Sequence, residues 1–148
     1  MQQRKAQAAM EFLMTYGWAI LVVVAAIVAL LYFDVLNPGK YAPDTCVMHD
    51  TSIGCIDHNY DGSDINVVLR NNVGETINNV TVTMEWNNGA NSDECSPSDT
   101  SLTKEQQVTF ACNGTFTDRV DGSLTVNFTK SSSSLAHTKT GDLGLKVS

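Results

Sequence analysis

The sequence predicts an α+β protein in which one long, apolar N-terminal α-helix precedes an all-β domain of the immunoglobulin-like sandwich type. Three observations lead to this prediction. No residue from Phe12 to Phe33 is charged. The rest of the chain is rich in Asn, Thr, Ser, Val and Gly, a composition that favours strands and turns. In several short segments, apolar and polar residues alternate as they do in half-buried strands.

Length and charge limit the classes of function. At 148 residues the chain has room for one modest domain beyond the helix. The formal net charge is -7, and beyond Phe33 seven basic residues stand against fifteen acidic ones, which leaves about -8 on that part. A domain of this charge repels phosphate backbones, so we expect no nucleic-acid partner. The negative charge is better suited to solubility and self-spacing.

The apolar segment is long enough to cross a membrane. A helix from Phe12 to Phe33 spans roughly 33 Å at about 1.5 Å per residue, against a bilayer core of about 30 Å. No proline precedes Asn37, where N-P-G is expected to end the helix. Because Arg4 and Lys5 precede the apolar run, the positive-inside rule places the N-terminus in the cytoplasm and the later residues outside.

A distinctive string leads into this segment. From Arg4 to Leu13 the chain has the string R-K-A-Q-A-A-M-E-F-L. This string resembles the class III signal peptide of archaeal type IV pilins. The resemblance implies a leader of residues 1–6, cut by a prepilin peptidase between Ala6 and Gln7. It also implies that residues 7–37 form a helix that is transmembrane in the precursor and becomes the filament core after assembly.

Glu11 is the one acidic residue in this helix. The resemblance implies that its carboxylate meets the N-terminal amine of a neighbouring subunit and sets the register of assembly. Cleavage would create an α-amino group on Gln7, four residues earlier and on the same helical face. The alternative is an interfacial carboxylate solvated by lipid headgroups.

Residues 38–148 are predicted to form the extracellular β-sandwich domain. The predicted strands are Ile65–Arg70, Ile77–Trp86, Gln107–Cys112, Ser123–Phe128 and Leu143–Val147. Val80, Val82, Met84 and Trp86 fall on one face of the second of these. The segments predicted to lack regular strands are Tyr41–Cys55, an irregular crossover or short hairpin, the turn-rich loop Asn87–Thr100 and the loop Ser131–Ser134. Two sheets packed face to face would bury the apolar faces.

The cysteines indicate an oxidising compartment. Cys46, Cys55, Cys95 and Cys112 all follow the apolar segment, and their even number without a C-x-x-C pair favours disulfides outside the cell. Three pairings are possible, of which Cys46 with Cys55 and Cys95 with Cys112 closes the shortest loops. Zinc is the alternative, but the usual short ligand spacings are missing.

One segment partly matches a calcium loop. Asp57, Asn59, Asp61 and Gly62 fit the first half of an EF-hand pattern, but Val68 occupies the position of the bidentate Glu. We therefore expect a turn built on Asp61 and Gly62, and no cofactor. The alternative is a calcium ion held by Asp57, Asn59 and Asp61 with help from Asp64 or a backbone carbonyl.

Three N-x-[ST] sequons lie on the side predicted to be exported, at Asn79, Asn113 and Asn127. Archaeal pilins that resemble this chain are often glycosylated, and Asn127 is expected to face outward. No partner pattern accompanies His49, His58 or His137, so we expect no catalytic site.

Together these features predict a structural subunit that self-assembles into a homopolymeric helical filament outside the cell. The resemblance implies an adhesive archaeal type IV pilus, built by a pilus assembly machinery from a precursor in the cytoplasmic membrane. Two alternatives are an archaellum filament subunit, which serves motility, and a membrane-anchored surface-binding protein.

Overall fold

The structure is a computed structural model that describes residues 2–33, 35–36 and 41–147. The chain divides into two compact units, Met1–Ala42 and Pro43–Ser148, which we call the helical unit and the β-unit. The helical unit contains α1 (Gln2–Tyr32). The strands of the β-unit are β1 (Thr45–Met48), β2 (Ile53–Tyr60), β3 (Asp64–Asn71), β4 (Ile77–Trp86), β5 (Asn91–Leu102), β6 (Gln107–Asn113), β7 (Asp118–Lys130) and β8 (Ser133–Val147). The predicted order of an apolar helix followed by an antiparallel β domain is confirmed.

Helix α1 is continuous over 31 residues. Its interior contains no proline, and Gly17 is its one glycine, so backbone hydrogen bonding is not interrupted. At its end the Phe33 amide donates to the Ala29 carbonyl at 3.0 Å and the Val35 amide donates to the Leu30 carbonyl at 3.2 Å. The predicted N-P-G stop at residues 37–39 lies outside the described residues.

The eight strands pair in the order β1-β8-β7-β4-β5-β6-β3-β2, and all neighbours are antiparallel. Strands β1 and β2 lie at opposite ends of this order, yet a disulfide joins Cys46 of β1 to Cys55 of β2. The sheet must therefore fold back on itself. Strand β5 connects the two halves of the sheet, because it pairs with β4 along most of its length and with β6 at Ser96.

One core lies between the two halves of the folded sheet. The predicted inward face of β4 is confirmed, since Val82 and Met84 are 0% exposed and Trp86 is 7% exposed. The apolar residues buried with them come from seven strands: Ile53, Ile65, Val67, Leu69, Ile77, Val80, Cys95, Leu102, Phe110, Cys112, Val120, Leu124, Val126, Phe128, Leu143, Leu145 and Val147. The β-unit thus buries its apolar faces without help from the helix.

Several segments predicted as loops are strands. Most of Asn87–Thr100 belongs to β5, part of Tyr41–Cys55 forms β1 and the start of β2, and Asp57 and Asn59 continue β2. Strand β8 begins at Ser133, so only the first two residues of the predicted Ser131–Ser134 loop form the turn. These segments are polar, and pairing with a neighbouring strand overrides their weak intrinsic preference.

Candidate functional site: the helix surface and the sites of the β-unit

Helix α1 exposes its apolar side chains along its whole length. Within the helical unit every described large hydrophobic side chain is exposed, including Met14 at 79% and Tyr32 at 83%. The segment Arg4–Tyr32 has a mean hydropathy of 2.4 over its most apolar window, so by length and composition it can cross a membrane. A signal sequence near the N-terminus has the same properties. Among the described residues of the helical unit, none buries this apolar surface, which is of the kind that marks a site of contact with membrane or protein.

The predicted processing point lies inside the helix. Because α1 begins at Gln2, residues assigned to the leader are helical, and Ala6 and Gln7 are both exposed on it.

Glu11 is exposed and is the tenth residue of α1. Its backbone carbonyl accepts a hydrogen bond from the Thr15 hydroxyl at 2.8 Å. No ion pair to its carboxylate is present among the described side chains.

Both disulfides are present, and the pairing is the one that closes the shortest loops. Cys46 is bonded to Cys55 and Cys95 to Cys112, at sequence separations of 9 and 17. Cys46, Cys55 and His58 form the one group with metal-ligand spacing that was found among the described residues. The two sulfur atoms are bonded to each other, so they are not available as thiolate ligands for zinc.

The segment with a partial calcium pattern forms a hairpin turn between β2 and β3. Asp61 Oδ1 accepts from the backbone amides of Ser63 and Asp64 at 3.0 and 2.9 Å, and Asp61 Oδ2 accepts from Asn66 Nδ2 at 3.0 Å. Gly62 supplies the positive φ, 105°, that the turn requires. The predicted turn is confirmed. The amide hydrogen bonds from Asp64 and Ser63 hold the pKa of Asp61 well below its usual range.

Asp57 and Asn59 do not join Asp61 in a ligand cage. They lie on strand β2, where Asp57 Oδ1 accepts from the His58 amide at 2.8 Å. The lone pairs of Asp61 are already engaged by protein donors. The expectation that this segment serves as a turn fits the observed bonding.

The three sequons differ in accessibility. Asn79 is exposed at an irregularity of β4 and has a φ of 50°, and Asn113 is exposed at the end of β6. Asn127 is only half-exposed, and its Oδ1 accepts from the Thr138 hydroxyl at 2.6 Å. Asn79 and Asn113 are therefore the more open acceptors in the folded β-unit.

Sequence reasoning missed a polar row on the surface. His49 Nε2 lies 2.8 Å from Asp142 Oδ2, and its Nδ1 lies 3.4 Å from the Thr140 hydroxyl. The order of hydroxyl, imidazole and carboxylate is that of a hydrolytic triad. However, the His49 and Asp142 side chains are 54% and 71% exposed, and the hydroxyl contact is long. We interpret the row as a surface network that fixes the end of β1 on β8.

The same surface holds a closer ion pair. Lys139 Nζ donates to Asp50 Oδ2 at 2.7 Å, and Asp50 Oδ1 accepts from the Ser52 amide at 2.7 Å. These hydrogen bonds, that of Lys139 first, hold the pKa of Asp50 well below its usual range. The pair ties the β1–β2 connection to β8.

Neither a family model nor a curated protein matches this chain.

Proposed function

We propose that the protein is the structural subunit of an extracellular filament of the archaeal type IV pilus kind. A precursor held in the cytoplasmic membrane by α1 is cut between Ala6 and Gln7 and then assembled by a pilus machinery. The observation behind this proposal is an apolar helix whose described large hydrophobic side chains are all exposed. The helix begins with the string R-K-A-Q-A-A-M-E-F-L and precedes a β-unit that has a hydrophobic core of its own.

The apolar side chains of α1 need surroundings without water both before and after assembly. In the precursor, lipid surrounds the apolar side chains. After extraction they need another dry environment, and the helices of other subunits supply it at about 25 cal/mol per Å² of apolar surface buried. Repeated packing that does not close on itself generates a helical filament, with the β-units on the outside.

We also propose that the β-unit is an immunoglobulin-like sandwich. The pairing order supports this, because β2-β3-β6-β5 and β4-β7-β8 follow the order of the A-B-E-D and C-F-G sheets of that fold. Trp86 lies on β4, the equivalent of strand C, where antibody domains carry a buried tryptophan. The disulfides differ, since they join β1 to β2 and β5 to β6.

Electron microscopy of sheared cells, with mass spectrometry of the filaments, tests the proposed function. We expect thin filaments enriched in this chain, with Gln7 as the first residue. Recovery only as detergent-dependent monomers would indicate a membrane-anchored surface-binding protein. Association with a rotary motor and loss of swimming on deletion would indicate an archaellum subunit.

Replacing Glu11 tests the registration role proposed for its carboxylate. We expect Glu11→Gln to be cut normally but to stay in the membrane, because a neutral amide cannot form an ion pair with the new α-amino group. Quantifying the variant in the membrane and filament fractions measures this. The control is Glu85→Gln, on an exposed position of β4. Normal assembly of Glu11→Gln would refute the role.

Glycosylation is proposed for the exported sequons, with Asn79 and Asn113 favoured over Asn127 by their exposure. The intact mass of the native protein measures it. A mass equal to that of the bare processed chain would contradict glycosylation at all three.

A further inference from the structure

One arginine holds the first residues of the β-unit. Arg119 on β7 donates from Nη2 to the Pro43 carbonyl oxygen at 3.1 Å, and its Nη1 lies 3.7 Å from Asp44 Oδ1. Its Nε donates to Asp121 Oδ1 at 3.1 Å, which orients the guanidinium. Asp44 Oδ1 also accepts from the Lys146 amide at 2.9 Å. The Arg119 side chain is only 16% exposed, so water screens these contacts less than it screens an open surface pair.

A glycine provides the space for this guanidinium. A Cβ on Gly144 would lie 2.6 Å from Arg119 Nη2 and 3.0 Å from Thr45 Oγ1. Gly144 is also the residue that pairs with Thr45 in the β1–β8 ladder. Any side chain at residue 144 would push Arg119 away from Pro43, so the contact between Arg119 and Pro43 requires glycine at this position.

Three strands hold the start of the β-unit together. Arg119 attaches it to β7, the backbone ladder attaches β1 to β8, and the Cys46–Cys55 disulfide attaches β1 to β2. Strand β1 has only four residues and lies at the end of the strand order. A strand so short frays readily unless side chains secure it.

We infer that Arg119 is a positioning residue that fixes residues 43 and 44 on the β-unit, and with them the place from which the chain continues towards α1. The inference rests on the proposed filament function, because a fixed starting point matters when every subunit must repeat one arrangement. If residues 43 and 44 are held in place in only a fraction of the subunits, the apparent affinity for assembly is the intrinsic affinity multiplied by that fraction.

Amide hydrogen exchange of the full chain in a non-ionic detergent tests the local part of this inference. Arg119→Met removes the side-chain contacts to Pro43, Asp44 and Asp121, and Arg119→Lys keeps the charge but lacks the planar fork. In both variants we expect exchange at residues 44–48 to rise by about tenfold or more, as charge-assisted hydrogen bonds are lost. Exchange in β3 and β6 should stay within about twofold of the wild type.

Gly144→Ala disturbs the same contact without changing Arg119, because the new Cβ displaces the guanidinium. We expect the same rise in hydrogen exchange at residues 44–48. The matched control is Arg70→Met. Arg70 on β3 has a side chain that is 36% exposed and an Nη2 that lies 3.7 Å from Glu105. Loss of the Arg70 guanidinium should leave hydrogen exchange at residues 44–48 unchanged. A uniform rise across the β-unit in Arg119→Met, or no rise at residues 44–48, would overturn the positioning role.

Filament yield tests the functional part. At equal amounts of folded subunit, we expect the yield of both Arg119 variants to fall by about the factor lost in local protection, and that of Arg70→Met to match the wild type. Wild-type yield from Arg119→Lys despite raised exchange would overturn the inference. If the wild type itself forms no filaments, the proposed function is wrong. A local rise in exchange in the Arg119 variants would still support the role of Arg119 in fixing residues 43 and 44.

Discussion

Asn71, at the end of β3, is the buried polar residue among the described side chains of the core, and it is 0% exposed. Its Nδ2 donates to the carbonyls of Glu75, Leu102 and Thr103 at 2.8, 3.0 and 3.1 Å. Its Oδ1 accepts from the Val73 amide at 2.9 Å. One side chain thereby satisfies backbone groups of the β3–β4 connection and of the end of β5. Buried polar groups are tolerated only when they are bonded in this way.

Replacing Asn71 with Ala should destabilise the β-unit by about 2–4 kcal/mol, because the Val73 amide and three carbonyls lose a partner that water cannot easily replace. Denaturant unfolding of the full chain in detergent, followed by near-ultraviolet circular dichroism, measures the free energy of unfolding. Asn59→Ala, on the exposed face of β2, is the matched control and should stay within about 0.5 kcal/mol of the wild type. Equal effects of the two substitutions would contradict the role assigned to Asn71.

Asp61 makes stability depend on pH in the acid range. Its pKa in the folded protein lies well below the ordinary 3.8 because the amides of Asp64 and Ser63 bond to the charged form. As the pH falls below about 3.8, the unfolded chain takes up a proton before the folded one does, so this stabilisation is lost. We expect the fall in unfolding midpoint between about pH 5 and pH 2 to be smaller in Asp61→Asn than in the wild type. Glu94→Gln, an exposed carboxylate on β5, serves as the control, and a fall in Asp61→Asn as large as in the wild type would count against the prediction.

At the scale of the elements, the two disulfides close loops of similar size in different surroundings. Cys95 and Cys112 are both 0% exposed, whereas Cys46 and Cys55 are half-buried beside the core. From loop length alone, the two bonds should differ in stabilisation by only about 0.5 kcal/mol. The two disulfides differ more in their burial, and therefore in their accessibility to a reductant, than in loop length.

A mild thiol reductant under native conditions should therefore open Cys46–Cys55 first, because its sulfurs can be reached without unfolding the core. Cys95–Cys112 should open only when the β-unit unfolds. Alkylation at timed intervals, followed by peptide mass spectrometry, gives the order. Simultaneous labelling of both pairs would contradict this order of reduction.

Replacing both Cys95 and Cys112 with Ser should lower the free energy of unfolding by about 3 kcal/mol or more, since polar groups enter the core as the cross-link is lost.

The sequence predicted the elements whose apolar residues alternate and missed those whose residues do not. Strand β4 has the predicted bounds Ile77–Trp86, since every second residue from Val80 onward is apolar. In β5 only Cys95 and Leu102 are buried, so alternation could not reveal it. Alternation shows which face of a strand is buried but not which strand lies beside it, so the strand order was not predictable. The contact between Arg119 and Pro43 was equally hidden, because it joins residues 76 positions apart.

The charge of the whole molecule is divided between its two units. The helix carries Arg4, Lys5 and Glu11 as its charged residues, whereas the part beyond Phe33 carries about -8. In the proposed filament the β-units form the outer layer, so the filament surface is strongly acidic. Like-charged filaments repel one another over about one Debye length, which is roughly 30 Å at 0.01 M salt and 8 Å at 0.15 M.

Sheared filaments should consequently stay dispersed at low ionic strength and form bundles as salt is added, because screening shortens the range of their repulsion. Light scattering against salt concentration measures the midpoint of bundling. Glu85→Gln combined with Glu94→Gln, both at exposed positions of the β-unit, should lower this midpoint. Lys104→Gln removes an exposed positive charge and should raise it. Because the two variants change the charge in opposite directions, shifts of the same sign would show that bundling is not governed by the charge of the outer β-units.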